Sequence, residues 1–471
     1  MFAQQFYVDG LAHLSYLLGG KSACAIIDPR RDVEECLAAA KAMGLKITHI
    51  LETHLHADFV SGHIDLAKRT GAAIYAPRAG GCRFDHVAVA QGDSFDIEDM
   101  RIQVLDTPGH TPDCICYVVT DKSRGGEPAV VFSGDTLFVG DVGRPDLFPG
   151  MGKELASKLY DSLHGKLMKL PDTCLVYPAH GAGSLCGKAM GAMRVSTIGY
   201  ERAHNPALQH KTLEDFSKAL LSGMPDAPDH FARCSDINRR GPALVAGMPA
   251  PRPMSPAEVQ ALMGQGHIVV DARDYASFGG AHIPGAYNID AAHNFSTFCG
   301  WILPPDKPIM VVAPSAEQVP TIATLLRRVG LDSVVGYLDG GMGPWTTSGL
   351  PVAHIPSTSV HEVHRHCEAG QKALTILDVR ALGEWSVSHI EGAVHMPLPA
   401  TRTRFGELDK ESTIALVCKS GARASTAGSI LQQRGFQNLA VVAGGMTAWV
   451  AAGFAPECAT CALTHGPRVS Q

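Results

Sequence analysis

Short apolar segments, each followed by a polar turn that contains glycine or proline, recur along the first half of the chain. Residues 25–27, 47–51, 129–132 and 175–177 are such segments. This pattern predicts strands whose ends carry the polar side chains of the turns. Residues 241–256 are rich in proline, glycine and alanine and predict a linker. The first predicted domain is therefore 1–245.

The rest of the chain contains an internal repeat with a period of about 105 residues. Residues 270–273 (VDAR) match 377–380 (LDVR), 281–286 (AHIPGA) match 388–393 (SHIEGA), and GGM occurs at 340–342 and 444–446. Each copy opens with a helix-capping serine and glutamate, Ser255 with Glu258 and Ser359 with Glu362. Strand and helix signals then alternate, which predicts two parallel α/β domains, at 254–355 and 356–458.

Composition narrows the classes of function. The chain has 471 residues, 45% of them hydrophobic, and a net charge of −6, which gives no basic surface for nucleic acid. It contains no apolar run long enough to cross a membrane, and residues 1–6 lack the pattern of a signal peptide. Thirteen cysteines, an odd number, do not indicate a disulfide framework. We expect a cytoplasmic protein; a homo-oligomer is compatible with this composition.

Histidines and aspartates that follow the predicted strands form a candidate metal site. They are His54, His56 and Asp58 in THLHADF, His110 in DTPGH, Asp135 in SGDT and His180 in PAHG. Imidazole nitrogens and carboxylate oxygens at strand ends can converge on one ion, because a sheet holds them rigidly. Any one of these histidines alone is an ordinary loop residue, but the set in this order predicts a metal centre.

This set resembles the metallo-β-lactamase superfamily, which implies an αβ/βα sandwich with the metal at one edge of paired sheets. The family motif is His-x-His-x-Asp-His, and Phe59 stands where its last histidine belongs. A second metal ion is therefore not expected. The remaining donors, His54, His110 and Asp135, form a two-histidine, one-carboxylate set, which favours one Fe(II) per chain and O₂ chemistry. His56, Asp58 and His180 would orient the ligands or the substrate.

Residues 54–58 (HLHAD) and 133–146 (SGDTLFVGDVGRPD) are similar to the persulfide dioxygenase branch of that superfamily. The resemblance implies that a low-molecular-weight thiol persulfide reacts with O₂ to give a thiol and sulfite. Arg144 is a candidate for binding an anionic group of the substrate, and a structural ion pair in its loop is an equal alternative. Cys186 is either a packed thiol or a sulfur relay.

The second repeat carries a candidate sulfur-transfer site. The predicted strand 413–417 ends in Cys418-Lys419-Ser420-Gly421-Ala422-Arg423, and a helix follows. Backbone N–H groups at a helix N-terminus and nearby positive charge favour a thiolate. The loop resembles that of the rhodanese family, which implies that Cys418 carries a persulfide stabilised by Arg423 and by binding to residues 419–422 of the loop. In the first repeat Ala313 and Gln318 occupy the corresponding positions. That copy is predicted to be inactive, as a spacer or docking surface.

Together these resemblances imply a persulfide dioxygenase with sulfurtransferase activity, a metallo-β-lactamase αβ/βα sandwich followed by two rhodanese-like parallel α/β domains. The expected partners are a thiol persulfide, O₂ and sulfite, and neither nucleic acid nor a membrane. The rhodanese step has two possible directions: it loads sulfur onto a thiol acceptor that feeds the iron site, or it passes sulfur to sulfite and yields thiosulfate, the more attractive of the two. Two alternatives remain open. One is a metal-dependent thioester hydrolase of the glyoxalase II type with an attached rhodanese, and the other is a non-catalytic carrier of sulfane sulfur.

Overall fold

A computed structural model describes residues 1–224, 226–292, 294–369 and 374–455. The chain divides into an N-terminal unit, Met1–Met248 with Arg327–Gly330, and a C-terminal unit formed by the remainder. The end of the third predicted domain, 456–458, lies outside the described residues. Within the described part, no helix is both long and apolar enough to cross a membrane.

The N-terminal unit contains two six-stranded sheets, and in each the strands are arranged in chain order. The first sheet consists of β1 (Phe2–Val8), β2 (His13–Gly19), β3 (Ala23–Ile27), β4 (Lys46–Leu51), β5 (Ala73–Pro77) and β6 (Val87–Val89). The second consists of β7 (Ser94–Ile97), β8 (Met100–Asp106), β9 (Ile115–Asp121), β10 (Pro128–Gly134), β11 (Leu175–Pro178) and β12 (Ser196–Thr197).

The two sheets face each other, and helices cover their outer faces. Along β2, Leu14, Tyr16 and Leu18 point into the core between the sheets with Phe132 of β10, while Leu17 joins the cluster on the other face. The helices of this unit are α1 (Glu34–Ala42), α2 (His63–Thr70), α3 (Gly152–Gly165), α4 (Ile198–His204), α5 (Leu213–Leu221) and α6 (His230–Arg240). The predicted αβ/βα sandwich is confirmed.

The ends of four strands bring the candidate ligands to one edge of this sandwich. β4 leads into His54 in the first sheet, whereas β8, β10 and β11 lead into His110, Asp135 and His180 in the second. A backbone hydrogen bond from Leu14 N–H to the Ala179 carbonyl joins the two sheets at this end. The turns that carry the donors are therefore held by both sheets.

The C-terminal unit contains two five-stranded parallel sheets with the same topology. The first has the order β13-β17-β16-β14-β15 and the second β18-β22-β21-β19-β20. The strands are β13 (Arg252–Met254), β14 (Ile268–Asp271), β15 (Tyr287–Asn288), β16 (Ile309–Val312), β17 (Val334–Leu338), β18 (Ser357–Thr358), β19 (Leu374–Asp378), β20 (Val394–His395), β21 (Thr413–Val417) and β22 (Leu439–Val442). The two predicted parallel α/β domains are confirmed.

Helices connect the strands of both repeats, and the two predicted capping boxes are present at Ser255 and Ser359. The first repeat contains α7 (Pro256–Gly264), α8 (Tyr275–Gly280), α9 (Phe295–Ile302), α10 (Val319–Arg328) and α11 (Met342–Thr347). The second contains α12 (Val360–Glu368), α13 (Leu382–Val387), α14 (Thr401–Arg404), α15 (Ala422–Gln433) and α16 (Gly445–Ala451). Buried apolar residues of both repeats form one cluster.

The repeated sequence motifs form the same local structure in both rhodanese-like copies. In the first repeat the Arg273 guanidinium pairs with Asp271 and donates to the Ala281 carbonyl, and the His282 ring stacks on Phe278 at 3.7 Å. The second repeat has the same arrangement, with Asp378, Arg380, Trp385 and His389. These motifs therefore have a structural role, which explains why they also occur in the copy that has Ala313 at the position of Cys418.

Candidate metal centre and sulfur-transfer loop

Two histidines and one aspartate converge at the edge of the sandwich. Ligand atoms of His54, His110 and Asp135 all lie within 4.8 Å of one another, and the three side chains are fully buried. Asp135 Oδ2 is 3.3 Å from His110 Nε2 and 3.8 Å from His54 Nε2. The predicted donor set is thus assembled from three different turns.

Hydrogen bonds fix which ring nitrogens face Asp135. The Thr53 hydroxyl donates to Asp28 Oδ2 at 2.9 Å, so it can only accept from His54 Nδ1, 3.0 Å away. His110 Nδ1 donates to the Arg144 carbonyl at 2.9 Å. Both Nε2 atoms consequently present a lone pair. Neither has a hydrogen-bond partner among the described residues.

The charges suit a divalent cation. Burial lowers the pKa of both His54 and His110, so both rings are neutral ligands at physiological pH. Burial alone would raise the pKa of Asp135, but the neighbouring His180 holds it below its usual range. Two neutral imidazoles and one carboxylate, with no competing hydrogen bond at Nε2, fit a single Fe(II).

Replacing Thr53 with valine is expected to weaken iron binding about tenfold, because the change removes the hydroxyl that orients His54 and keeps the shape of the side chain. A competitive chelator titration measures the affinity. Thr48→Val is the matched control, since the Thr48 hydroxyl also lies against the Nδ1 atom of the next residue, His49, on β4. Equal affinities in the two variants would contradict the orienting role.

His56, Asp58 and His180, which the sequence analysis expects to orient the ligands or the substrate, lie beside the donor set. His180 bridges two carboxylates, with Nδ1 2.7 Å from Asp135 Oδ1 and Nε2 2.9 Å from Asp58 Oδ2. Although burial lowers the pKa of His180, the two carboxylates raise it well above its usual value, so the ring is a cation. Phe59 fills the position of the missing histidine and packs on His56, with ring centroids 4.4 Å apart.

The structure adds residues that sequence reasoning missed. Asp28 accepts hydrogen bonds from Thr53, and its backbone is left-handed with φ of 49°, which is unusual outside glycine and typical of strained functional positions.

Asp28, Glu52 and His56 form a second buried group of possible ligands. Burial raises the pKa of Glu52 to about 8. The ring of His13 is also buried here, 4.2 Å from Phe59. The only sequence signal was that Asp28, like Asp135, ends an apolar strand.

Cys186 joins two of the neighbouring residues in a third group. Its Sγ and ligand atoms of Asp58 and His180 lie within 4.8 Å of one another, and all three residues are buried. Burial, together with Asp58 and Asp135, raises the pKa of the Cys186 thiol well above its usual value, so the thiol is protonated. Asp58 Oδ1 has no hydrogen-bond partner within the part of the chain that the structure describes.

The Arg144 side chain is engaged within its own loop. Its guanidinium donates two hydrogen bonds to the Asp146 carboxylate, at 2.7 and 2.8 Å, and one to the Leu185 carbonyl. Arg144 is also fully buried. The structural ion pair, one of the two alternatives for Arg144, is present, and the contact with an anionic group of the substrate stays a prediction. The Arg144 carbonyl accepts a hydrogen bond from His110 Nδ1 and so helps to orient that ring.

The sulfur-transfer loop follows β21, and its residues line the start of α15. The Gly421 N–H donates to Cys418 Sγ at 3.1 Å, and φ of Gly421 is 120°, a conformation that L side chains rarely adopt. Cys418 is only 1% exposed, while Lys419 and Ser420 are exposed. Of the predicted cradle of backbone donors, the described residues provide the Gly421 N–H.

Arg423 lies at the end of this loop, and its guanidinium donates two hydrogen bonds to Glu384 of α13, one to Oε2 at 2.5 Å and one to Oε1 at 2.7 Å. Burial alone would raise the pKa of Glu384, and the bond from Arg423 lowers it. Sequence reasoning missed Glu384, because nothing near it in the chain marks it as a partner of residue 423. The charge that Arg423 offers to Cys418 is therefore shared with a carboxylate.

Comparison with known proteins places these sites in families. The family model described as the metallo-beta-lactamase superfamily matches residues 8–180, which include all three candidate ligands. The model described as the rhodanese-like domain matches twice, at 255–348 and 359–452. The chain belongs to the metallo-β-lactamase superfamily. Its domain of that superfamily is followed in the same chain by two rhodanese-like domains. The copy with Ala313 in place of the cysteine is thus also a rhodanese-like domain.

Relatives of the metallo-β-lactamase domain include two kinds of enzyme. "Persulfide dioxygenase ETHE1, mitochondrial" from Mus musculus is 33% identical over 214 residues, 44% of this chain and 75% of the relative. "Hydroxyacylglutathione hydrolase" from Rhodospirillum rubrum is 38% identical over 160 residues, 34% of this chain and 57% of the relative. A crystal structure titled metallo-beta-lactamase from Staphylococcus aureus subsp. aureus COL is 34% identical in sequence and superimposes with a TM-score of 0.65. The match spans 72% of this chain and 98% of the Staphylococcus aureus chain.

Proposed function

We propose that the metallo-β-lactamase domain oxidises a low-molecular-weight thiol persulfide with O₂ at a single iron. The observation that carries this proposal is the pair of buried Nε2 lone pairs, of His54 and His110, that face the Asp135 carboxylate without a hydrogen-bond partner among the described residues. A persulfide dioxygenase from Mus musculus among the relatives supports the same substrate class. One persulfide, one O₂ and one water would yield one thiol and one sulfite.

The residues around the donors have separate tasks. Fe(II) held by His54, His110 and Asp135 would supply the chemistry by which O₂ reacts with a persulfide sulfur. Thr53 and the Arg144 carbonyl fix the two imidazole rings, and the His180 cation holds Asp135. The site is closed to bulk water, since every donor is buried, which protects a reactive sulfur species from side reactions.

We further propose that Cys418 passes on sulfane sulfur from a second persulfide. The Cys418 thiolate attacks the outer sulfur of the donor, the S–S bond of the donor breaks, and the thiol leaves after taking up a proton. Sulfite then attacks the outer sulfur of the Cys418 persulfide, so that thiosulfate leaves and the thiolate is regenerated. The Gly421 N–H would stabilise the Cys418 thiolate before and after each transfer. Sulfite from the iron site would thus be the acceptor at the second site.

The test of the proposal is O₂ uptake by iron-loaded protein after addition of glutathione persulfide or coenzyme A persulfide, with metal content determined on the same sample. Uptake with one iron per chain and sulfite or thiosulfate as product is expected. Absence of uptake, together with a stable persulfide on Cys418, would instead indicate the non-catalytic sulfur carrier.

Thioester hydrolysis is a second candidate function, because Asp58, His180 and Cys186 could hold a second metal ion once His180 and the Cys186 thiol have each lost a proton to solvent. A hydroxyacylglutathione hydrolase among the relatives favours the same candidate. With His54, His110 and Asp135 holding one ion and these three residues another, the pair of ions would supply the activation of water that thioester hydrolysis requires.

Metal stoichiometry in Cys186→Ser separates the two functions. For the dioxygenase we expect one iron per chain in both the parent protein and the variant. For the hydrolase the parent protein would hold two ions and the variant one, with loss of S-lactoylglutathione hydrolysis. The exposed Cys367, far along the chain on α12, gives the control Cys367→Ser.

A further inference from the structure

Helix α15, which begins at the Cys418 loop, rests against the first rhodanese-like domain, in which Ala313 occupies the position of the loop cysteine. Gly421, Ser425, Ser429 and Gln432 follow one another at helical spacing and form one stripe. Each of these four residues contacts a residue of the first rhodanese-like domain. Ser425 and Ser429 are also fully buried. A stripe of small polar residues buried in this way needs specific partners.

Asn288, at the end of β15, is the central partner. The Ser425 hydroxyl donates to Asn288 Oδ1 at 2.6 Å, and the Asn288 backbone N–H donates to the Ser429 hydroxyl at 3.1 Å. The side-chain amide of Asn288 donates in turn to the carbonyls of Asp271 and Arg273, which fixes its orientation. Further along the stripe, His282 Nε2 lies 2.8 Å from Gln432 Oε1.

Tyr275, at the start of α8, contacts the Cys418 loop itself. A Cβ atom added to Gly421 would lie 2.8 Å from Tyr275 Cε1 and 2.9 Å from its Cζ, so the ring packs directly on the Gly421 backbone. Gly421 is the residue whose N–H donates to Cys418 Sγ. The ring therefore limits how far this donor can move.

We infer that the first rhodanese-like domain, which lacks the loop cysteine, is the positioning half of the sulfur-transfer site: Asn288 sets α15 in place, and Tyr275 holds the Gly421 N–H against Cys418. The inference rests on the proposed sulfur transfer at Cys418 and goes beyond the expected role of spacer or docking surface. Tyr275 and Asn288 are positioning residues, because they act through Gly421 and Ser425. The Cys418 thiolate, which is both the nucleophile and the group regenerated by transfer, depends on the donor that these residues hold.

The first measurement needs no sulfur substrate. Hydrogen exchange of the full chain, followed by mass spectrometry of peptides, reports the protection of residues 418–425. In Tyr275→Ala we expect faster exchange in this segment and unchanged exchange in β14 and β16, whereas Tyr275→Phe retains the ring and the protection. Tyr337→Ala, which changes a half-buried tyrosine of β17 in the same domain, is the matched control and should leave residues 418–425 protected.

The second measurement is sulfur transfer from thiosulfate to cyanide by the same proteins. We expect kcat to fall about tenfold in Tyr275→Ala and in Asn288→Ala. Tyr275→Phe should keep the kcat of the parent protein, and O₂ uptake should be unchanged in all three variants. The double variant Asn288→Ala, Ser425→Ala should lose no more than Asn288→Ala alone, because both changes remove the same hydrogen bond.

The two measurements distinguish the failure of the inference from that of the proposed function. Unchanged exchange and unchanged kcat in Tyr275→Ala and Asn288→Ala would overturn the inference and leave sulfur transfer intact. Faster exchange at 418–425 in Tyr275→Ala, in a protein whose unmodified form transfers no sulfur, would support the positioning contact and refute the proposed function of Cys418.

Discussion

Replacement of His110 by alanine is expected to abolish persulfide-dependent O₂ uptake and to leave the protein with little iron. His110 is one of the three proposed protein donors, and its Nε2 lies 3.3 Å from Asp135 Oδ2. Changes in residues that merely orient ligands weaken metal binding 10- to 100-fold, so we expect the loss of a ligand to cost at least about 100-fold. Iron content after gel filtration and O₂ uptake measure the two effects.

A matched histidine gives the control for this variant. His204 is exposed on α4, and His204→Ala should retain one iron per chain and full O₂ uptake. Sulfur transfer at Cys418 should persist in both proteins, since that site lies in a rhodanese-like domain with its own core. If His110→Ala kept its iron and its O₂ uptake, the metal would have to bind elsewhere, and the Asp28, Glu52 and His56 group would be the first candidate.

Local patterns in the sequence predicted strands with polar residues at their ends and a repeated α/β domain, whereas the layered sandwich and the choice of three donors were implied by the family resemblance. Apolar strands that end in polar turns predicted where His54, His110 and Asp135 lie, and the structure brings these three together. The repeated words and capping serines predicted two copies of one α/β domain, and the two sheets have the same strand order. Such patterns are visible because each is contained in a few consecutive residues.

The supporting residues could not be predicted, because their partners are distant in the chain. Asp28 reaches Thr53, and Glu384 pairs with Arg423, through contacts that no local pattern announces. The same limit affected Phe59. Its presence removed one expected donor for a second metal ion, whereas Cys186, from a loop far along the chain, places another donor beside Asp58 and His180. The number of metal ions therefore depends on tertiary structure as well as on the motif.

Replacement of Cys418 by serine is expected to abolish sulfur transfer while O₂ uptake stays within about twofold of that of the parent protein. A serine hydroxyl can take the hydrogen bond from the Gly421 N–H, so the fold of the loop is retained. It is not ionised at neutral pH, however, and cannot carry sulfane sulfur, because the nucleophile in such a transfer is a thiolate. The variant thus removes the chemistry and little else.

The products formed from a thiol persulfide and O₂ then show whether the two sites act in sequence. The parent protein should release thiosulfate, because sulfite from the iron site takes the sulfur held on Cys418, whereas Cys418→Ser should accumulate sulfite. The exposed Cys367 provides the control variant Cys367→Ser, which should form thiosulfate like the parent protein. Loss of O₂ uptake in Cys418→Ser would contradict two separate sites, and it would mean that the persulfide reaches the iron only after passing through Cys418.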